Sequence, residues 1–162
     1  MTRSDQDSVL EPAALALWQR LLARRPDHTG GEAIVVATSS RPPAVSLLTA
    51  SSVRLRGTRL TLAVHSASSV ARLDADSATL LSALDGATLR LYGSIVDRRT
   101  QDHVTVVDVD VDAVAALHED PWDFHVAFTT ARPDAARPLL SYWAGLSSWL
   151  DRDDGSLPPA PS

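Results

Sequence analysis

Chemistry in this chain concentrates in one stretch, LTLAVHSASSVARLDADS from Leu60 to Ser77. Alternation over its first half predicts a strand, which delivers the small hydroxyl residues Ser66, Ser68 and Ser69 into the start of a short helix carrying Arg72 one turn later. Free backbone N–H groups at such a start, with serine hydroxyls and a guanidinium beside them, suit a phosphate group. Serines at helix starts are also ordinary caps, so the stretch alone leaves both readings open.

The other constellations carry less. Asp108, Asp110, Asp112 and Glu119 take the first, third, fifth and twelfth places of a twelve-residue window, as in a calcium loop, but Ala113 stands where the sharp turn needs glycine. The preceding HVTVV run is β-branched, and alternate strand residues lie about 6.6 Å apart, too far for three carboxylates to share one ion. These acids read as a solvated strand face. The histidines His28, His65, His103, His118 and His125 show no metal-ligand spacing, and without cysteine no metal is expected. No GxSxG elbow, Walker sequence or GxGxxG loop occurs. All 15 basic residues are arginine, which excludes a Schiff-base, P-loop or general-base lysine. No side chain is assigned a catalytic role.

The elements that must position these residues are mostly short β runs. Ser8 and Glu11 have the spacing of a capping box, so a helix is expected from there, with Leu10, Ala14, Leu17, Trp18, Leu21 and Leu22 on one face. Pro26 and Gly30-Gly31 end it. AIVVATS from Ala33, AVSLLTASSV from Ala44 and RLTLAVHS from Arg59 then read as strands, the last with Leu60, Leu62 and Val64 facing one way. SATLLSAL and ATLRLYGSIV form a hairpin about Asp85-Gly86, Arg98–Asp102 reads as a loop, and HVTVVDVDVD is the most strand-like stretch of all. Asp112 is placed to cap a helix through AVAALHED; DFHVAFTT from Asp123 is the last strand. Tyr142, Trp143, Leu146, Trp149 and Leu150 share one face of a terminal helix, as core or interface anchors. Strands without a βαβ rhythm predict a mainly β (α+β) fold, a six- to seven-stranded antiparallel split β-barrel with short peripheral helices.

At 162 residues the chain fits one domain, expected over residues 9–152, with disordered ends at 1–8 and 153–162. No apolar run approaches the roughly 20 residues of a membrane helix, no secretory leader is evident and there is no cysteine, so a cytoplasmic address is expected. A net charge of −5 argues against a duplex nucleic-acid partner. Charge is uneven, however: from Arg41 to Arg99 eight arginines face four aspartates. That surplus is either a set of solvated strand edges or a pocket for an anionic small molecule.

Taken in order, PAVSLLTASSVRLRGTRLTLAVHS, SSVARLDAD, SATLLSALDG and ATLRLYGSIVDRR resemble the pyridoxamine 5′-phosphate oxidase-like family of FMN-binding split barrels, over roughly residues 31 to 130. The resemblance implies a homodimeric flavoprotein of oxidoreductase type, with FMN in a groove between subunits. It implies Leu47, Leu48 and Thr49 along the flavin ring, and Val64, His65, Ser66, Ser68, Ser69 and Arg72 near the ribityl phosphate. His65 would be available to donate to a ring or substrate oxygen, or would be structural. The chain departs from the family where Ala44 stands in place of an arginine, and where Ser69 and Val70 stand in place of basic residues. The competing expectation is therefore a cofactor-free split-barrel dimer that binds another small molecule or a protein. A purely structural oligomer would lack a pocket at the subunit boundary.

Overall fold

The computed structural model describes residues 10–68, 71, 75–118, 125–152 and 156–160. Strict alternation in RLTLAVH builds β4 (Arg59–His65), whose Leu60, Leu62 and Val64 are buried on the inner side. Seven strands form one antiparallel path in the order β2-β1-β5-β6-β7-β4-β3. The others are β1 (Gly30–Thr38), β2 (Val45–Thr49), β3 (Val53–Arg56), β5 (Ser77–Leu84), β6 (Ala87–Gln101) and β7 (Val104–His118). A three-residue β8 (Ala127–Thr129) pairs with the start of β1. The two ends of the path, β2 and β3, are consecutive in the chain, joined by a single 3-10 turn at Ala50–Ser52. The sheet therefore curls until its ends meet without pairing, which is the split in the barrel.

Its interior is filled from every side of that path. Ile34, Val36, Leu80, Leu89, Leu91, Leu60, Leu62, Val107 and Val109 interlock with Trp18 and Leu21 of α1 (Pro12–Ala23). A second cluster lies on the opposite face of β4 and β7, where α2 (Arg137–Arg152) lays Leu146 and Trp149 on Ala63, Val104 and Val106. That stretch of sheet is buried on both faces, and the helix determines what the outer one can bind.

Several boundaries differ from the sequence reading, each for a local reason. Helix α1 starts at Pro12 with Glu11 as its N-cap, so Glu11 is not the third residue of a capping box; proline is well suited to that first position, and Ser8 lies outside the described residues. The AVSLLTASSV run is broken at Ala50–Ser52 because the chain must turn from one sheet end to the other. Arg98–Gln101 is strand rather than loop: β6 continues against β7, and the turn shrinks to Asp102-His103, with Asp102 at φ 56°. Asp112–His118 is strand rather than helix, since pairing with Ala87–Tyr92 overrides the helical tendency of an alanine-rich run. Of DFHVAFTT only Ala127–Thr129 pairs, and Asp123 and Phe124 lie outside the described residues. The Asp85-Gly86 hairpin is as expected, with φ 51° and 76° at its centre, a type I′ turn.

Two register shifts, at Tyr92/Gly93 and Ile95/Asp97, let the 15-residue strands β6 and β7 bend around the core. Glycine is required at the first: a Cβ on Gly93 would stand 2.4 Å from the Asp110 carbonyl oxygen. Beyond α2 the chain returns as a strap, where the reading above placed a disordered tail. Gln101 Nε2 and Trp149 Nε1 donate to the Ser156 carbonyl at 3.0 and 2.9 Å, and His103 Nε2 meets the Pro159 carbonyl at 2.9 Å.

Candidate functional site

A cleft of about 260 Å³ opens at the split between β2 and β4, roofed by α2. One wall is Ser46–Thr49 and Ser52, the other is Ala63–His65, Ser68 and Val104, and Tyr142, Trp143 and Leu146 close it from the helix. Leu47, Leu48, Thr49, Val64, His65 and Ser68, far apart in sequence, thus meet in one place. Ser66 does not line it: its N–H donates to the His103 carbonyl at 2.7 Å and its hydroxyl accepts from Thr105 Oγ1 at 3.3 Å, so it pins the strand end to β7. Ser69 and Arg72 lie outside the described residues, as does most of the short helix expected there.

The cleft offers hydrogen bonds without charge. Thr49 is only 8% exposed, yet its Oγ1 has no hydrogen-bond partner among the described residues. An unmet buried hydroxyl costs about 1–3 kcal/mol, so a ligand atom that met it would recover that cost. The backbone of β2 adds more donors. Thr38 N donates to the Ala44 carbonyl, which makes Ser46 and Leu48 the inward-bonding residues of the β1–β2 ladder; the N–H and C=O of Leu47 and the N–H of Thr49 then point off the free edge, while the Thr49 C=O opens the 3-10 turn. His65 Nδ1 accepts the Ala67 N–H at 3.0 Å, so in the neutral ring the proton resides on Nε2, which is left as a donor. Burial pushes the Tyr142 phenol above its ordinary range, keeping it a neutral hydroxyl. No charged side chain lines the cleft among the described residues. The same residues contain no cluster of acidic or histidine side chains placed to hold a metal.

One rim runs onto an exposed apolar sheet face. Leu47, 69% exposed, aligns across the sheet with Val35 and Leu81, and Val45 aligns with Ala37, Thr79 and Tyr92 in the neighbouring row. A contiguous patch of this kind marks an interaction surface more often than a bare one.

Sequence reasoning missed the helical contribution. Tyr142, Trp143 and Leu146 read as anchors, and nothing in their spacing says that the helix returns to β2 and β4; two adjacent aromatics on an otherwise polar helix were the available signal. Ser46 and Ser52 gave none.

Fold and cleft together define an incompletely closed antiparallel barrel with a small groove at its seam. No helix among the described residues is long and apolar enough to cross a membrane. No protein-family model and no curated protein matches the chain. Among solved structures it is similar to an NADH:FAD oxidoreductase of Streptomyces globisporus, at 14% identity and TM-score 0.48, covering 76% of this chain and 94% of that one. It is also similar to an FMN-bound protein of Methanosarcina mazei, at 9% identity and TM-score 0.45, covering 85% and 83%. Likenesses of this extent leave the class to be set by the chain's own strand path and groove.

Proposed function

We propose that this protein is an FMN-binding split-barrel protein of oxidoreductase type, working as a homodimer whose second copy completes the groove. The observation that carries the reading is the convergence of Leu47, Leu48 and Thr49 with Val64, His65 and Ser68 in one cleft with an unmet hydroxyl and a free strand edge. A planar heteroaromatic ring with polar atoms along one side matches that offer: leucine and aromatic faces above and below, and edge-on donors from the Leu47 and Thr49 backbone and the Thr49 side chain. At about 260 Å³ the described cleft is smaller than the roughly 300–1,000 Å³ of most small-molecule sites. The remainder of the cofactor would extend beyond Ser68; the family's phosphate-binding segment resembles Val64–Val70, where Ser69 and Val70 stand in place of basic residues. FMN would supply hydride or electron transfer; the chain's own residues would orient the ring, exclude water from its face and present the His65 Nε2–H. The apolar rows through Leu47 and Val45 fit a face covered by the partner.

Titration of the purified protein with FMN, followed by absorption and fluorescence quenching, tests the reading. Thr49→Val should weaken binding about 2- to 10-fold while leaving the free protein as stable or more so, because it deletes a hydroxyl that is unmet without ligand. Absence of any flavin binding at tens of micromolar overturns the proposal.

The uncharged lining favours a second reading, a cofactor-free dimer whose groove takes a neutral small molecule. It predicts the same dimer in solution with no flavin bound.

A further inference from the structure

A second cleft, of about 270 Å³, lies on the same outer face between β3, β4, β6 and the far end of α2, and shares no residue with the first. Arg54, Arg56, Arg59 and Arg99 line it, with Trp149 at its base. The two walls differ in charge. On the β4–β6 side each arginine is matched: Arg59 pairs with Asp110 at 2.9 Å, and Arg99 bridges Asp97 and Asp108 at 3.1 and 2.6 Å. On the β3–α2 side several cations crowd one acid. Arg54 Nε donates to Asp151 Oδ1 at 2.5 Å, while the bond given by Arg56 goes to the Asp151 backbone carbonyl, at 3.3 Å, rather than to a carboxylate. The Asp151 carboxyl is held below its ordinary range by the Arg54 hydrogen bond first, then by the charges of Arg54, Arg56 and Arg25. Arg25 in turn is lowered by burial and then by the nearby charge of Arg54. Of the arginines lining this wall, Arg54 and Arg56 therefore share one carboxylate, an excess of one positive charge in a protein whose net charge is −5.

We propose that this cleft binds the phosphate group of a small phosphorylated molecule. A phosphate monoester presents several acceptor oxygens on one centre, and these accept in the fork geometry that guanidinium presents. Arg54 is fixed in place by Asp151, the Ser147 carbonyl at 2.9 Å and the Val53 carbonyl at 2.8 Å, so it forms a preset wall, whereas Arg56 keeps most of its donors for a ligand. The protein's overall negative charge disfavours a polyanionic chain here and leaves a compact anion as the occupant.

The test is calorimetric titration of the full chain with inorganic phosphate and, separately, phenyl phosphate at low ionic strength. Saturable binding is expected, weakened by added salt, weakened about 10- to 100-fold in Arg56→Gln and only partly in Arg56→Lys. Thr49→Val should leave it unchanged, which separates this site from the flavin reading. Tighter binding of phenyl phosphate identifies an ester as the ligand, and equal binding identifies free phosphate. No saturation by about 10 mM of either probe overturns the proposal, and so does an Arg56→Gln protein that binds like the parent with an unchanged melting temperature.

Discussion

Replacing Arg54 by methionine removes the guanidinium that ties β3 to α2 while keeping most of the apolar stem. Its side chain is 12% exposed and donates to the Asp151 carboxylate, the Ser147 carbonyl and hydroxyl, and the Val53 carbonyl. Asp151 is 56% exposed, so its half of the ion pair can be rehydrated, and that contact contributes no more than about 0.2–1 kcal/mol. Ser147 is buried; its carbonyl keeps its bond within α2, but its hydroxyl loses the Arg54 donor, and an unmet hydroxyl there costs about 1–3 kcal/mol. The sum, about 1–4 kcal/mol, corresponds to a fall in melting temperature of about 2–16 °C for a domain of this size. Urea unfolding and calorimetry of Arg54→Met and Asp151→Asn measure it. Arg54→Met should cost clearly more than Asp151→Asn. Equal losses would show that the ion pair, not the buried Ser147 hydroxyl, holds the helix, and a loss in Arg54→Met below about 0.5 kcal/mol would refute the account altogether.

Three further outcomes are expected. The Asp151 and Asp27 carboxyls are lowered in the folded protein, by the Arg54 hydrogen bond and the Thr29 hydroxyl respectively, so their contribution is present above the unfolded value near about 3.9 and is lost as pH falls through the folded one. Melting temperatures measured from about pH 6 to about pH 2 should fall less steeply in Asp151→Asn; an unchanged slope counts against the assignment. Gly93→Ala drives a methyl to 2.4 Å from the Asp110 carbonyl oxygen and 2.5 Å from Val109 Cγ1, and should destabilise by about 1–3 kcal/mol or more in denaturant unfolding. Leu47→Glu places a charge on the exposed apolar rows: it should dissociate the proposed dimer in sedimentation experiments yet shift monomer stability by no more than about 0.5 kcal/mol, and a monomeric parent protein would remove the basis for the shared groove.

How much of this was legible in the residues depends on the range of the interaction that decides each element. Leu60, Leu62 and Val64 declare β4 through alternation alone, and Asp85-Gly86 declares its hairpin through backbone chemistry. Ala113–His118 does not, because its strand state comes from pairing with residues about 25 positions earlier, beyond any local pattern. The cleft divides in the same way. The serine-rich end of β4 was visible as a place for chemistry, and the family resemblance put Leu47–Thr49 beside it. What the residues could not convey is that Ser66 is consumed by Thr105, that Thr49 is left unmet, and that α2 supplies the roof. The arginine surplus between Arg41 and Arg99 was visible as a sum; that Arg59 and Arg99 meet aspartates on their own wall while Arg54 meets Asp151, more than fifty residues further along, was not.

Residues 156–160 are gripped through main chain and side chains together: Ser156 and Pro159 accept by their carbonyls, and Pro158 is buried. The carbonyl contacts survive a change of side chain, whereas the burial of Pro158 does not. Cutting the chain at Arg152 would strip the Trp149 indole and the Gln101 amide of their acceptor at once and uncover the base of the arginine cleft. A fusion partner would be better carried at the other terminus.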